Sequence, residues 1–200
     1  MLNQQKLVAI LVARQGSSRL PGKALREVVG RPILSLIIER LKNIPIIDEI
    51  CLATSDLERD RPLLELAEKE GILGFAGDPE DVLDRIYHAA VFSEANYIYE
   101  VGGDCPFVDE ETLSTGLKLL EMDQYDLVCN FSPPTYPDGI DCPLLTMSGL
   151  ERLHKSAFLA SQRMHPFAFI FAHPELFNVA NFEYGQDKSQ LRLTMDYSED

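Results

Sequence analysis

KLVAILVARQGSSRLPGKAL, residues 6–25, joins an apolar run to a loop of glycines, serines and cations. The run suits a buried strand and falls far short of the roughly eighteen residues of a membrane span. A strand that opens into glycine, hydroxyls and cations has the pattern of a loop folded around phosphate. It is not a Walker A loop, which needs four residues between its first glycine and the Gly-Lys pair, then Ser or Thr. Here five residues separate Gly16 from Gly22, and Ala24 follows Lys23. The hydroxyl that a Walker A loop offers to magnesium is missing, so a metal has to be held by carboxylates elsewhere.

Downstream, short apolar runs alternate with amphipathic stretches. KLVAILVA (6–13) precedes the helical pattern PILSLIIERLKN (32–43), and EICLAT (49–54) precedes RDRPLLELAEKEG (59–71), stopped by Gly71. ILGFAG (72–77) leads into PEDVLDRIYHAAVFSEA (79–95), whose Pro79, Glu80 and Asp81 mark a helix start. NYIYEVGG (96–103) precedes EETLSTGLKLLEM (110–122), and DLVCNF (126–131) follows. Strand then helix, four times over, predicts an α/β fold with a mostly parallel sheet covered on both faces and joined by right-handed crossovers. Ligands in such sheets collect beyond the carboxyl ends of the strands, which selects the loops after Ala13, Thr54, Gly77, Gly103 and Phe131. SPPTYPDGID (132–141) is the longest turn-rich stretch and reads as a lid or acceptor loop. Residues 1–200 show no linker and are expected to form one domain.

The net charge of -14 argues against nucleic acid or an anionic membrane as partner. Residues 14–31 reverse the sign locally: five cations face only Glu27, a balance of +4, which leaves -18 for the rest. A small cationic island on an acidic chain suits a compact polyanion such as a nucleoside triphosphate. Backbone amides around Gly16, Ser17 and Ser18 can face its oxygens, and Arg14, Arg19 and Lys23 can neutralise its charge. Cys51, Cys105, Cys129 and Cys142 lack CxxC spacing, which fits reduced thiols in a cytoplasmic protein. Two carboxylates follow apolar strands and are the candidates for magnesium: Asp104 in VGGDCP and Asp196 in LRLTMDYSED. Each has a bland reading as well, Asp104 as a turn aspartate and Asp196 as part of a helix start at Ser198, Glu199 and Asp200. His88 reads as a packing or surface residue of a helix, and His154 as an exposed one.

ARQGSSRLPGKAL, GDPEDVLDRIYHAA, VGGDCPFVD, YPDGID and RLTMDYSED, in this order, resemble the cytidylyltransferase family. That family includes the acylneuraminate and 3-deoxy-manno-octulosonate enzymes, and the likeness is closest to its spore coat polysaccharide biosynthesis protein F branch. The resemblance implies a Rossmann-like three-layer α/β/α nucleotidyltransferase fold with a mostly parallel mixed sheet. It implies an enzyme that moves CMP from CTP to a sugar acid or related acceptor for surface polysaccharide, releasing pyrophosphate. It implies that Ala13, Arg14, Gly16, Ser17, Arg19 and Lys23 bind the nucleotide, with Ser55 and Arg85 beside it. Asp104 and Asp196 would hold Mg2+, and Lys23, Arg14 and Asp104 would be catalytic. Asp138, Asp141, Arg163 and His165 would face the acceptor. That acceptor half departs from the family pattern: Met164 replaces an acid between Arg163 and His165, and Cys142-Pro143 stands for Val-Glu. Tyr197-Ser198 stands for Thr-Pro. Family members usually continue past residue 200, so a trimmed terminus would leave an apolar patch near 191–196. Dimerisation is common in the family, and a homodimer is an open expectation that no residue here specifies.

Two other readings stay open on sequence. A glycosyltransferase of the same general fold usually carries an Asp-x-Asp motif where this chain has Asp104-Cys105-Pro106. A non-catalytic nucleotide-binding protein would account for the altered acceptor segments, but not for intact Arg14, Lys23, Asp104 and Asp196.

Overall fold

The computed structural model describes residues 5–17, 19–122 and 124–200. Ser18, one of the expected phosphate-loop amides, lies outside them. A seven-stranded sheet is built from β1 (Leu7–Val12), β4 (Glu49–Ser55), β5 (Leu73–Gly77), β6 (Tyr97–Gly102), β7 (Leu127–Cys129), β8 (Leu144–Thr146) and β9 (Val179–Asn181). The strand order is β5-β4-β1-β6-β8-β7-β9. β8 alone runs against its neighbours, pairing antiparallel with β6 and β7, while the other pairs are parallel. A small hairpin, β2 (Glu27–Val28) and β3 (Arg31–Pro32), stands apart.

Among the described residues, seven α-helices cover the sheet: α1 (Ile33–Lys42), α2 (Arg61–Glu70), α3 (Val82–Phe92), α4 (Glu110–Leu120), α5 (Met147–Ser156), α6 (Ala160–Met164) and α7 (Pro166–Ala172). The alternation of β1 decides which helix lies on which face. Leu7, Ala9 and Leu11 point to α1, α2 and α4, where they meet Leu34, Ile37, Leu63 and Leu113. Val8 and Ile10 point the other way, to Leu83 and Ile86 of α3, Leu150 of α5 and Ile170 of α7. Burying each such Leu or Ile contributes roughly 1.5–3 kcal/mol, which is why β1 anchors the middle of the sheet.

Chain order places the ligand edge. From β1 the chain steps outward to β4 and β5, then returns to lay β6 against the other side of β1. The carboxyl ends of β1 and β6 therefore diverge at a switch point, where a crevice opens. Two expected helix starts differ in detail. α3 begins at Val82, not Pro79, because the Asp81 carboxylate caps it by accepting from the Asp84 amide at 2.9 Å. No helix opens at Ser198. Asp200 instead folds back, accepting from the amides of Asp196 and Tyr197 at 2.7 and 2.8 Å and pairing with Arg192. The apolar exposure expected near 191–196 is present in part. Leu191 is exposed, and residues 192–195 wall a groove of about 600 Å³ shared with α1 and Phe107.

Candidate active site

The loop after β1 is shaped by three local features. The Gly22 amide donates to the Gln15 carbonyl at 3.1 Å, closing the loop on itself. Gly22 holds φ at 73°, a left-handed turn that a side chain resists, and this starts the short helix that carries Lys23. The third was not foreseen. Asp60, fully buried, accepts from the Gln15 amide at 2.6 Å and from the Ser55 hydroxyl. Ser55 is thus buried behind the loop as a buttress and does not line the cleft. Only its place at the end of β4 hinted at this, since Asp60 carries no motif.

At the end of β6, Gly102 and Gly103 let Asp104 reach the same spot. The Gly103 amide donates to the Val12 carbonyl at 2.9 Å, and a Cβ there would stand 2.8 Å from the Ala13 Cβ. From the far end of the chain, the Met195 amide donates to the Asp104 carbonyl at 2.9 Å and brings in Asp196. The result is one cluster. Lys23 Nζ donates to Asp104 Oδ2 at 2.5 Å and to Asp196 Oδ1 at 3.0 Å. Arg19 reaches the same Asp196 oxygen at 2.7 Å. Burial alone pulls the Lys23 pKa down, but the two carboxylates outweigh it and the net shift is upward, so the ammonium stays charged.

The cluster edges a cleft of about 360 Å³ between β1 and β6. Ala13, Arg14, Gly16, Ser17, Arg19, Lys23, Arg85 and Asp104 all line it, so eight of the predicted residues meet there. Arg85, 1% exposed, is fixed through its guanidinium to the carbonyls of Asp78 and Pro79 at 2.7 and 3.2 Å. Arg14 donates to the same Pro79 carbonyl at 3.2 Å. Burial, then the Arg14 charge, lowers the Arg85 pKa. The Nε of Arg85 is buried with no hydrogen-bond partner among the described residues. Two guanidiniums thus share one carbonyl beside the cleft and concentrate positive charge there.

A second chamber of about 350 Å³ adjoins the first, sharing Val82, Glu100, Gly102 and Asp104 with it. Asp141 and His165 line this chamber. Asp138 and Arg163 do not. Asp138 is exposed and ties its loop to the terminal segment, its amide and carbonyl bonding Leu191 and Leu193 at 2.9 and 2.7 Å. Arg163 turns away, to Asp81 and to the carbonyls of His154 and Ala157. Asn130, buried, clamps the turn-rich loop by bonding the Ile140 carbonyl and the Cys142 amide, both at 2.8 Å. Glu100 was missed because an acid within a strand pattern reads as one solvated position. Burial, then Asp141 and Asp104, pushes its carboxyl up to about 7. Asp141 is pushed up to about 6 by burial, then Asp138 and Asp104.

Asp104 and Asp196 fit a small divalent cation. Both oxygens touch one nitrogen, so they lie no more than 5.5 Å apart, the sum of the two contacts. They already embrace a positive charge, and oxygen donors are what magnesium takes. Separately, Asp84, His88 and His154 gather between α3 and α5 with ligand atoms within 4.8 Å, away from the cleft. His154 is partly buried there, stacked on Tyr87 at 4.2 Å and bonded to Asp84, so it is not the exposed residue expected. All four cysteines are free.

Comparison with known proteins agrees with this geometry. The chain is 31% identical over 204 residues to the spore coat polysaccharide biosynthesis protein SpsF of Bacillus subtilis, covering 97% of this chain and 82% of that one. It is 32% identical over 116 residues to an Escherichia coli 3-deoxy-manno-octulosonate cytidylyltransferase, covering 56% of this chain and 46% of that one. A cytidylyltransferase structure from Leptospira borgpetersenii superposes with a TM-score of 0.93 at 29% identity, covering 98% and 84% of the two chains. The family model described as Cytidylyltransferase matches residues 8–200, which sets aside the glycosyltransferase reading. The chain belongs to the cytidylyltransferase family.

Proposed function

We propose that this nucleotidyltransferase transfers CMP from CTP to a hydroxyl of a sugar acid or related acceptor, releasing pyrophosphate, in surface polysaccharide biosynthesis. The observation that carries the reading is the Lys23 ammonium bridging Asp104 and Asp196 on the rim of a cationic cleft. The names of two relatives support the acceptor and the pathway: one is a spore coat polysaccharide biosynthesis protein, the other a 3-deoxy-manno-octulosonate cytidylyltransferase.

The acceptor oxygen bonds to the α-phosphorus as the bond to the bridging oxygen breaks, and the acceptor's proton passes to solvent water. Negative charge then collects on the departing pyrophosphate. Arg14, Arg19 and Lys23, with the amides around Gly16 and Ser17, stand where they neutralise that charge. Arg85 is held rigid from below, so its charge need not reorganise during the reaction. In this reading the acceptor occupies the second chamber, which shares Asp104 with the cleft. Magnesium held by Asp104 and Asp196 would supply Lewis acidity to the reacting phosphate and to the acceptor hydroxyl.

The test is pyrophosphate release from each of the four nucleoside triphosphates against sugar acids and sugar phosphates, with magnesium and with chelator. Release from CTP alone, dependent on magnesium, is expected. Sugar transfer without pyrophosphate, or no response to CTP with any acceptor, overturns the reading.

A further inference from the structure

Away from the cleft, three side chains able to ligate a metal converge between α3 and α5. Asp84 and His88 stand four residues apart on α3, so one helical turn sets them on the same side, and His154 reaches across from α5. Asp84 Oδ1 lies 2.8 Å from His154 Nε2 and 3.5 Å from His88 Nε2. The three ligand atoms all fall within 4.8 Å of one another.

Packing holds the two imidazoles in place. Tyr87 stacks on His154, with centroids 4.2 Å apart and planes 15° from parallel, and meets His88 edge-on at 5.1 Å. Asp84 and His154 are partly buried, whereas His88 is exposed and leaves the cluster open to solvent. One cation stands close by: Arg163 Nη2 is 3.5 Å from Asp84 Oδ1. Its nearer contacts go to Asp81 and to the carbonyls of His154 and Ala157, so the contact with Asp84 is the loosest of the four.

Two imidazoles and a carboxylate are donors that suit zinc and its neighbours in the first transition row better than magnesium. Bonds of about 2.0–2.1 Å to a tetrahedral ion set its ligand atoms roughly 3.3 Å apart. That value falls between the 2.8 and 3.5 Å separations from Asp84 Oδ1. An ionised carboxylate only accepts, so in the ion-free cluster His154 Nε2 donates its proton to Asp84. A metal takes the place of that proton, which leaves to solvent.

From this arrangement we infer that Asp84, His88 and His154 form a second metal site, selective for zinc-like transition ions, that staples α3 to α5. Water completes the coordination on the exposed side of His88. α3 also supplies Val82 and Arg85 to the nucleotide cleft, so the ion ties one cleft wall to the neighbouring helix. The site is chemically distinct from the Asp104–Asp196 pair, whose oxygen donors suit a hard cation.

The test is zinc chloride titrated calorimetrically into tag-free protein, with magnesium in excess to occupy the Asp104–Asp196 pair. One zinc per chain is expected, together with a raised melting temperature. His88→Gln and His154→Gln are each expected to weaken binding at least about tenfold, the lower end of what losing even an outer-shell partner costs. The exposure of His88 makes its variant the one that keeps the fold intact if His154→Gln does not. Cobalt used in place of zinc should give visible d–d bands without thiolate charge transfer, since no cysteine belongs to the site. Absence of zinc binding in the wild type overturns the inference. So does an unchanged affinity in either folded variant, or a cobalt spectrum dominated by thiolate charge transfer.

Discussion

Lys23 Nζ sits 2.5 Å from Asp104 Oδ2 and 3.0 Å from Asp196 Oδ1, joining the first loop of the chain to its last segment. The contact has two consequences. The ammonium neutralises two carboxylates that would otherwise repel each other, and it occupies the space where a metal held by that pair would lie. Lys23→Ala is therefore expected to lower the melting temperature, and added magnesium to restore more of it in the variant than in the wild type. A magnesium response identical in the two proteins would show that Lys23 and the cation do not share a seat.

Gly102 and Gly103 should separate function from stability. A Cβ on Gly102 would lie 2.7 Å from Asp104 Oδ1 and 3.1 Å from Cys105 Sγ, so Gly102→Ala displaces the carboxylate while the strand remains. A Cβ on Gly103 meets the Ala13 Cβ at 2.8 Å and the Val12 carbonyl at 3.1 Å, backbone that cannot yield easily. Gly103→Ala is expected to cost roughly 1–3 kcal/mol in urea melts, typical of overpacking. Gly102→Ala is expected to lose turnover with a smaller loss of stability; the reverse ranking would contradict the geometry.

Glu100 predicts a pH dependence of stability with a definite sign. Its carboxyl titrates near 4.5 when unfolded and at about 7 in the fold, because burial and then Asp141 and Asp104 disfavour its charge. Between those values the folded chain holds a proton that the unfolded chain releases, so this group's contribution falls as pH rises through that window. Glu100→Gln should match the wild type below pH 4 and exceed it above pH 7, by on the order of 1–3 kcal/mol. Melting curves at pH 4 and pH 8 decide it, and a variant less stable at pH 8 would show that Glu100 gains a partner the fold does not reveal.

Asp60 tests how the phosphate loop is held. It is buried and accepts from the Gln15 amide and the Ser55 hydroxyl, so Asp60→Ala leaves both donors unanswered. A loss of roughly 1–3 kcal/mol is expected, together with weaker CTP binding although Asp60 does not line the cleft. Unchanged CTP affinity in calorimetry would mean that the loop does not need this tether.

Which parts of this were legible in the sequence follows from the range of the interactions. The β1 run and the four strand–helix alternations are local hydrophobic patterns, and they survive in the fold with ends shifted by up to three residues. The missing hydroxyl after Lys23 pointed to distant carboxylates, and Asp104 and Asp196 do converge. That Lys23 binds both was not legible, since 81 and 173 residues separate it from them. Arg163 shows the limit on the acceptor side. A motif places a residue near a site, but whether its head faces in or out depends on Asp81 and Asp84, one helix away. The turn at 198–200 fails as a helix for a similar reason: Asp200 finds Arg192 and two backbone amides, partners better than another helical turn. The reversal of β8 follows from how loop 132–141 folds, which turn residues announce without giving its direction.

The central claim is that Lys23, Asp104 and Asp196 form the reacting centre for a nucleotide. Pyrophosphate release from CTP, followed in the wild type beside Lys23→Ala and Asp104→Ala, tests it most directly. Both variants are expected to unfold cooperatively yet lose about 10²- to 10³-fold or more in turnover. Turnover equal to the wild type in both would contradict it.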